Sequence, residues 1–99
     1  MPPPFCNDII SHCLIKNNTA DNDGGGIRGT SLKIYNSEIS YNTADNGGGI
    51  HAINSIIVNS TIVNNNASAV SEGSNAGGIY GGYSVDNTIL WGNKAGSYV

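Results

Sequence analysis

The chain has 99 residues, a formal charge of −3 and only 11% charged side chains, set against 14 Gly, 15 Asn and 11 Ser. That length limits it to one domain with a modest core. Four cations without a cluster argue against nucleic acid as a partner. No apolar run reaches the roughly 18 residues of a membrane-spanning helix, so no membrane span is expected.

The opening segment, MPPPFCND, lacks the basic and apolar regions of a signal peptide. Pro2, Pro3 and Pro4 cannot donate hydrogen bonds, so they are suited to blunting a sheet edge. Cys6 and Cys13 lie seven residues apart. Two readings stand for them: a disulfide in an oxidising compartment, or two small buried side chains. Too few ligands accompany them for a zinc site.

From Asp8 the chain repeats. DIISHCLIKNNTADND reads as the second half of a coil and closes segment 1–23. Residues 24–46 read GGGIRGTSLKIYNSEISYNTADN. Residues 47–76 begin GGGIHAINSIIVNSTIVNNNAS and contain a polar insertion at 67–76. Residues 77–99 begin GGIYGGYSVDNTILWGNKAG and form the last coil with its tail. NTADN occurs at Asn18 and again at Asn42.

Each unit holds three short pieces rich in Ile and Val. The first column is Ile27, Ile50 and Ile79; the second is Ile10, Ile34, Ile57 and Val85; the third is Ile15, Ile39, Ile62 and Ile89. Pieces this short, bounded by Gly, Asn, Asp and Ser, suit strands. One such strand cannot bury its own face, but stacked units can. The fold class predicted is all-β: a right-handed, single-stranded parallel β-helix, or solenoid, of about four coils with three sheets around one core. Alternation puts Ile50 and Ala52 inward and His51 outward.

Asn18, Asn42 and Asn65 form a column after the third strand, with Asn93 displaced by one, and Asn36 and Asn59 form a second in the turn before it. Asn tolerates left-handed backbone, and stacked amides can hydrogen-bond along the axis, so both columns read as a structural ladder. The Gly runs at 24–26, 47–49 and 77–78 mark a bend that calls for positive φ.

The motif GGGI…N-S-x-I-x-x-N-T-A resembles the parallel β-helix repeats of the pectin-lyase-like superfamily. It is most similar to the Asn- and Gly-rich repeats of bacterial surface proteins, including polymorphic outer-membrane protein repeats. SHCLIKNNTADNDGGGI, NSEISYNTADNGGGI, NSTIVNNNAS and DNTILWGNKA carry the resemblance, over Asp8 to Ala95. The insertion at 67–76 and the shortened Tyr80 to Val85 segment depart from it. The resemblance implies a secreted or cell-surface location, with polysaccharide or a host or cell-surface ligand as partner. Its functions are diverse, so the site must be argued from residues.

The outward column Arg28, His51 and Tyr80 is the candidate ligand face, offering a cation, an imidazole and a phenol on successive coils. Asp21, Asp23 and Asp45 lie in stacked turns whose carboxylates suit calcium, the one cofactor considered. Trp91 is a candidate for sugar stacking, and it shares a column with Tyr41 in which both are half-buried. His12 stands as a surface residue in the turn of Asn36 and Asn59. Tyr83, Tyr98 and Val99 suit a cap on the last coil.

The first functional expectation is a non-enzymatic surface or secreted scaffold for adhesion, display or carbohydrate contact. The alternatives are a fragment of a lyase or hydrolase acting on acidic polysaccharide, and a calcium-stabilised carbohydrate-binding module. Open sheet edges point to a piece of a longer solenoid or to end-to-end self-association.

Overall fold

The structure is a computed structural model that describes residues 9–67, 77–81 and 83–95. The three prolines, Cys6, residues 68–76, Tyr98, Val99 and the Tyr83 side chain lie outside the described residues. The rest is an all-β solenoid in which every strand pairing is parallel.

Four sheets wrap the core, one more than the three predicted. The first stacks Ile27–Thr30, Ile50–Ile53 and Ile79–Tyr80. The second stacks Ile9–Ser11, Lys33–Tyr35, Ser55–Val58 and Tyr83–Asp86. The third stacks Leu14–Lys16, Glu38–Ser40, Thr61–Val63 and Ile89–Trp91. The fourth stacks Thr43–Ala44, Asn66–Ala67 and Lys94–Ala95. The fourth escapes an apolar-run search because its strands are two residues long with only alanine facing inward. The stack makes about three turns, not four. Only the second and third sheets hold four strands, since among the described residues the N-terminal coil supplies Ile9–Ser11 and Leu14–Lys16 alone.

Single left-handed residues turn the corners. Ser31, Asn36 and Tyr41 have φ of 54°, 51° and 55°, and one coil later Asn54, Asn59 and Asn64 have 59°, 52° and 56°. They recur every five residues: a short strand, a left-handed residue, then an inward residue. The inward residues are Leu32, Ser37 and Asn42 in one coil and Ser55, Ser60 and Asn65 in the next, all buried. Asn is favoured at such corners because its side chain bonds locally and tolerates positive φ.

The aliphatic columns fill the interior. Ile34, Ile39, Ile50, Ile57 and Ile62 are fully buried, and each contributes about 1.5–3 kcal/mol. The second column is Ile10, Ile34, Ile57 and Val85, in register. The third differs from expectation: Leu90, not Ile89, pairs with Ile62. The chain offset is 29 at Ile50 to Ile79 but 28 at Ile62 to Leu90. The segment after Tyr80 is therefore one residue shorter, which shifts the strand beyond it.

That shift brings Asn93 into the asparagine ladder rather than beside it. Asn42 donates from its backbone N–H and its Nδ2 to Asn65 Oδ1, both at 3.0 Å. Asn65 donates to Asn93 Oδ1 in the same two ways at 3.0 Å. Asn18 donates to Asn42 Oδ1 at 3.0 and 3.1 Å. The second proton of each Nδ2 goes back to a strand carbonyl: Asn42 to Ile15 at 3.1 Å, Asn65 to Ile39 at 2.9 Å and Asn93 to Ile62 at 2.9 Å.

Asn36 and Asn59 take a different part. They are exposed, left-handed corner residues, and the ladder at their corner belongs to the next residue in the chain. Cys13 N–H donates to Ser37 Oγ (3.1 Å), Ser37 N–H to Ser60 Oγ (3.2 Å) and Ser60 N–H to Thr88 Oγ1 (3.4 Å). Each hydroxyl donates to the carbonyl two residues back, and the Cys13 thiol does likewise to Ser11 at 3.2 Å. Cys13 is exposed, not buried.

The glycine runs close each coil. Positive φ is confined to the first glycine of a run, 66° at Gly24 and 61° at Gly47. At Gly48 the requirement is close approach instead, because a Cβ there would fall on the backbone of Asn66 in the fourth sheet.

Candidate functional site

The first sheet sets Arg28, His51 and Tyr80 side by side, because Arg28 pairs with His51 and Tyr80 pairs with His51. The alternation that buries Ile50 and Ala52 turns His51 outward. The rings of His51 and Tyr80 stack with centroids 4.7 Å apart and planes at 8°. Arg28 stands free enough to reach a ligand, with 68% of its side chain exposed.

Asp23 joins this strip. Its Oδ2 lies 3.9 Å from Arg28 Nη2, and its Oδ1 lies 3.9 Å from His51 Nε2. Asn46 Nδ2 donates to Asp23 Oδ1 at 3.1 Å and fixes the carboxylate. Asp23 occurs where the turn is one residue longer than its successor. Thr19 pairs with Thr43 at an offset of 24, whereas Asp23 pairs with Asn46 at 23. The contrast between ADND and ADN was the sequence signal for a carboxylate placed here.

The predicted calcium set does not gather. Asp21 is exposed, Asp23 is held by Asn46, and among the described residues no three carboxylate, imidazole or thiol groups come together as an ion site. Trp91 is 70% exposed and pairs with Val63. It does not share a column with Tyr41, which occupies the left-handed corner with Asn17, Asn64 and Gly92. Tyr41 is also exposed, and Lys16 Nζ lies 5.6 Å from its ring centre.

Two open grooves follow the corners beside the third sheet. One runs past His12, Asn36, Asn59 and Glu38. The other runs past Tyr41, Asn64, Asn66, Gly92 and Lys94. His12 is exposed at a left-handed corner and bonds through Nδ1 to Ser11 Oγ at 2.6 Å. The second groove escaped the sequence reading because its residues come from a corner and the short fourth sheet.

Chemically, the Asp23, Arg28, His51 and Tyr80 strip is a binding surface. It offers guanidinium and phenol hydrogen bonds, a ring stack and a fixed carboxylate. His51 and Asp23 at 3.9 Å are beyond hydrogen-bond distance, so the pair lacks the oriented contact of a catalytic dyad. The chain matches no family model, no curated protein and no solved structure. The parallel solenoid rests on the strand register itself.

Proposed function

We propose that this chain is a non-enzymatic scaffold segment of a secreted or cell-surface protein, related to the pectin-lyase-like β-helix proteins, and that its first sheet contacts carbohydrate. The observation that carries the reading is the parallel stack of His51 on Tyr80 beside the exposed Arg28. Rigid coils hold these groups at a repeat of about 4.8 Å. A flat, polar, aromatic strip of this kind suits an extended chain of hydroxyl-bearing rings, whose axial C–H faces lie on aromatic groups and whose oxygens meet donors.

The test is a glycan array of neutral and acidic oligosaccharides, read for binding and for product release. Binding without turnover, lost in Arg28→Ala and in Tyr80→Ala, is expected. Cleavage of an acidic polysaccharide would transfer the reading to a lyase or hydrolase. Absence of binding across the array would remove the carbohydrate partner.

A further inference from the structure

We propose that the two ends of the coil stack are mutually complementary and that a second copy of this chain docks on them head to tail. The ladders have a direction. Asn18, Asn42 and Asn65 each donate toward the C-terminal end and accept through Oδ1 from the coil before. Among the described residues, Asn18 Oδ1 therefore presents an acceptor at one end, and the Asn93 N–H presents a donor at the other. The hydroxyl ladder repeats the arrangement, with the Cys13 thiol at its first position and the Thr88 N–H at its last.

The side chains match in the same register. The middle coils carry Glu38 and Thr61 at one outward position of the third sheet, whereas the end coils carry Leu14 and Ile89 there. Leu14 and Ile89 are 64% and 60% exposed. Setting Asn18 on Asn93 places Leu14 over Ile89, Ile15 over Leu90 and Lys16 over Trp91. The last pairing is a cation on an aromatic face. Leu90 is 46% exposed at one end of a core column whose interior members, Ile39 and Ile62, are fully buried. A copy docked this way continues the column, the Asn ladder and the parallel sheets together. The contact joins unlike faces, so it propagates into filaments instead of closing.

Sedimentation velocity on the full chain over a range of concentrations is the test, with Leu90→Lys blocking the C-terminal face and Asn18→Lys the N-terminal face. Both substituted residues are at least half solvated or exposed in the single copy. The wild type is expected to grow with concentration, and each variant alone to sediment as one chain. Their mixture is expected to form a one-to-one pair, because each retains the face that the other lacks. Ile89→Glu, which reproduces the chemistry of Glu38, is a second block on the C-terminal face that the fold tolerates. A wild type that stays monomeric at every concentration overturns the proposal. So does association that these variants leave intact, or a mixture that fails to pair.

Discussion

Asn42 and Asn65 stack directly, with both the backbone N–H and the Nδ2 of Asn42 bonded to Asn65 Oδ1 at 3.0 Å. Both residues are fully buried. Each amide uses its oxygen twice and its nitrogen twice, so neither retains an unmet polar group. Asn65→Ala strands the N–H and Nδ2 of Asn42 and the carbonyl of Ile39. An unsatisfied buried group costs about 1–3 kcal/mol, so the variant is expected to lose at least about 3 kcal/mol. Asn18→Ala, at an exposed position, is expected to lose about 1 kcal/mol. Urea denaturation of the two variants checks the ranking, and equal losses would contradict it.

Ser55 gives the opposite expectation. Its hydroxyl is buried and makes no hydrogen bond among the described residues. It lies in the inward column after the first left-handed corner, where the preceding coil carries Leu32. Ser55→Ala removes a polar group that has no partner, and is expected to be neutral or to stabilise by about 1 kcal/mol. A clear loss in the same denaturation experiment would show that the hydroxyl has a bonded partner.

Tyr41 is the bulky member of a left-handed column otherwise made of Asn17, Asn64 and Gly92. Left-handed backbone costs an ordinary side chain about 1–2 kcal/mol, and Asn less. The exposed contact with Lys16 returns about 0.5 kcal/mol. Tyr41→Asn is therefore expected to raise stability by about 1 kcal/mol. Thermal melting measures it, and a lower melting temperature would mean that the ring contributes more than its conformation costs.

Gly48→Ala should be among the most damaging single changes in the chain. The added Cβ falls on the backbone of Asn66, which cannot swing aside as a flexible side chain can. Overpacking against fixed backbone costs about 3 kcal/mol or more. Circular dichroism and urea denaturation should show the loss. A stable Gly48→Ala protein would mean that the Gly turn does not pack against the fourth sheet as described.

The aliphatic columns were legible because stacking places like over like, so Ile27, Ile50 and Ile79 announce their own register. The same rule misled at Ile89. Matching Ile to Ile hid the one-residue contraction after Tyr80, which puts Leu90 in the core and Asn93 in the ladder. The five-residue rhythm of corners was hidden because Ser31, Asn36 and Tyr41 share a backbone conformation and little chemistry. Ser37 and Ser60 read as solvated turn residues, yet they are buried and bonded from coil to coil. At the candidate site, the column Arg28, His51 and Tyr80 followed from strand alternation alone. Asp23 did not, because its place depends on one extra residue in a turn.

The central claim is that the Asp23, Arg28, His51 and Tyr80 strip binds carbohydrate. Its most direct test is an NMR titration of the isotopically labelled chain with the oligosaccharides of the array. The account predicts saturable shifts concentrated at Asp23, Arg28, His51 and Tyr80, with the Asn42 and Asn65 side-chain amides unmoved. Shifts confined to another face, or no shift with any oligosaccharide, would contradict it.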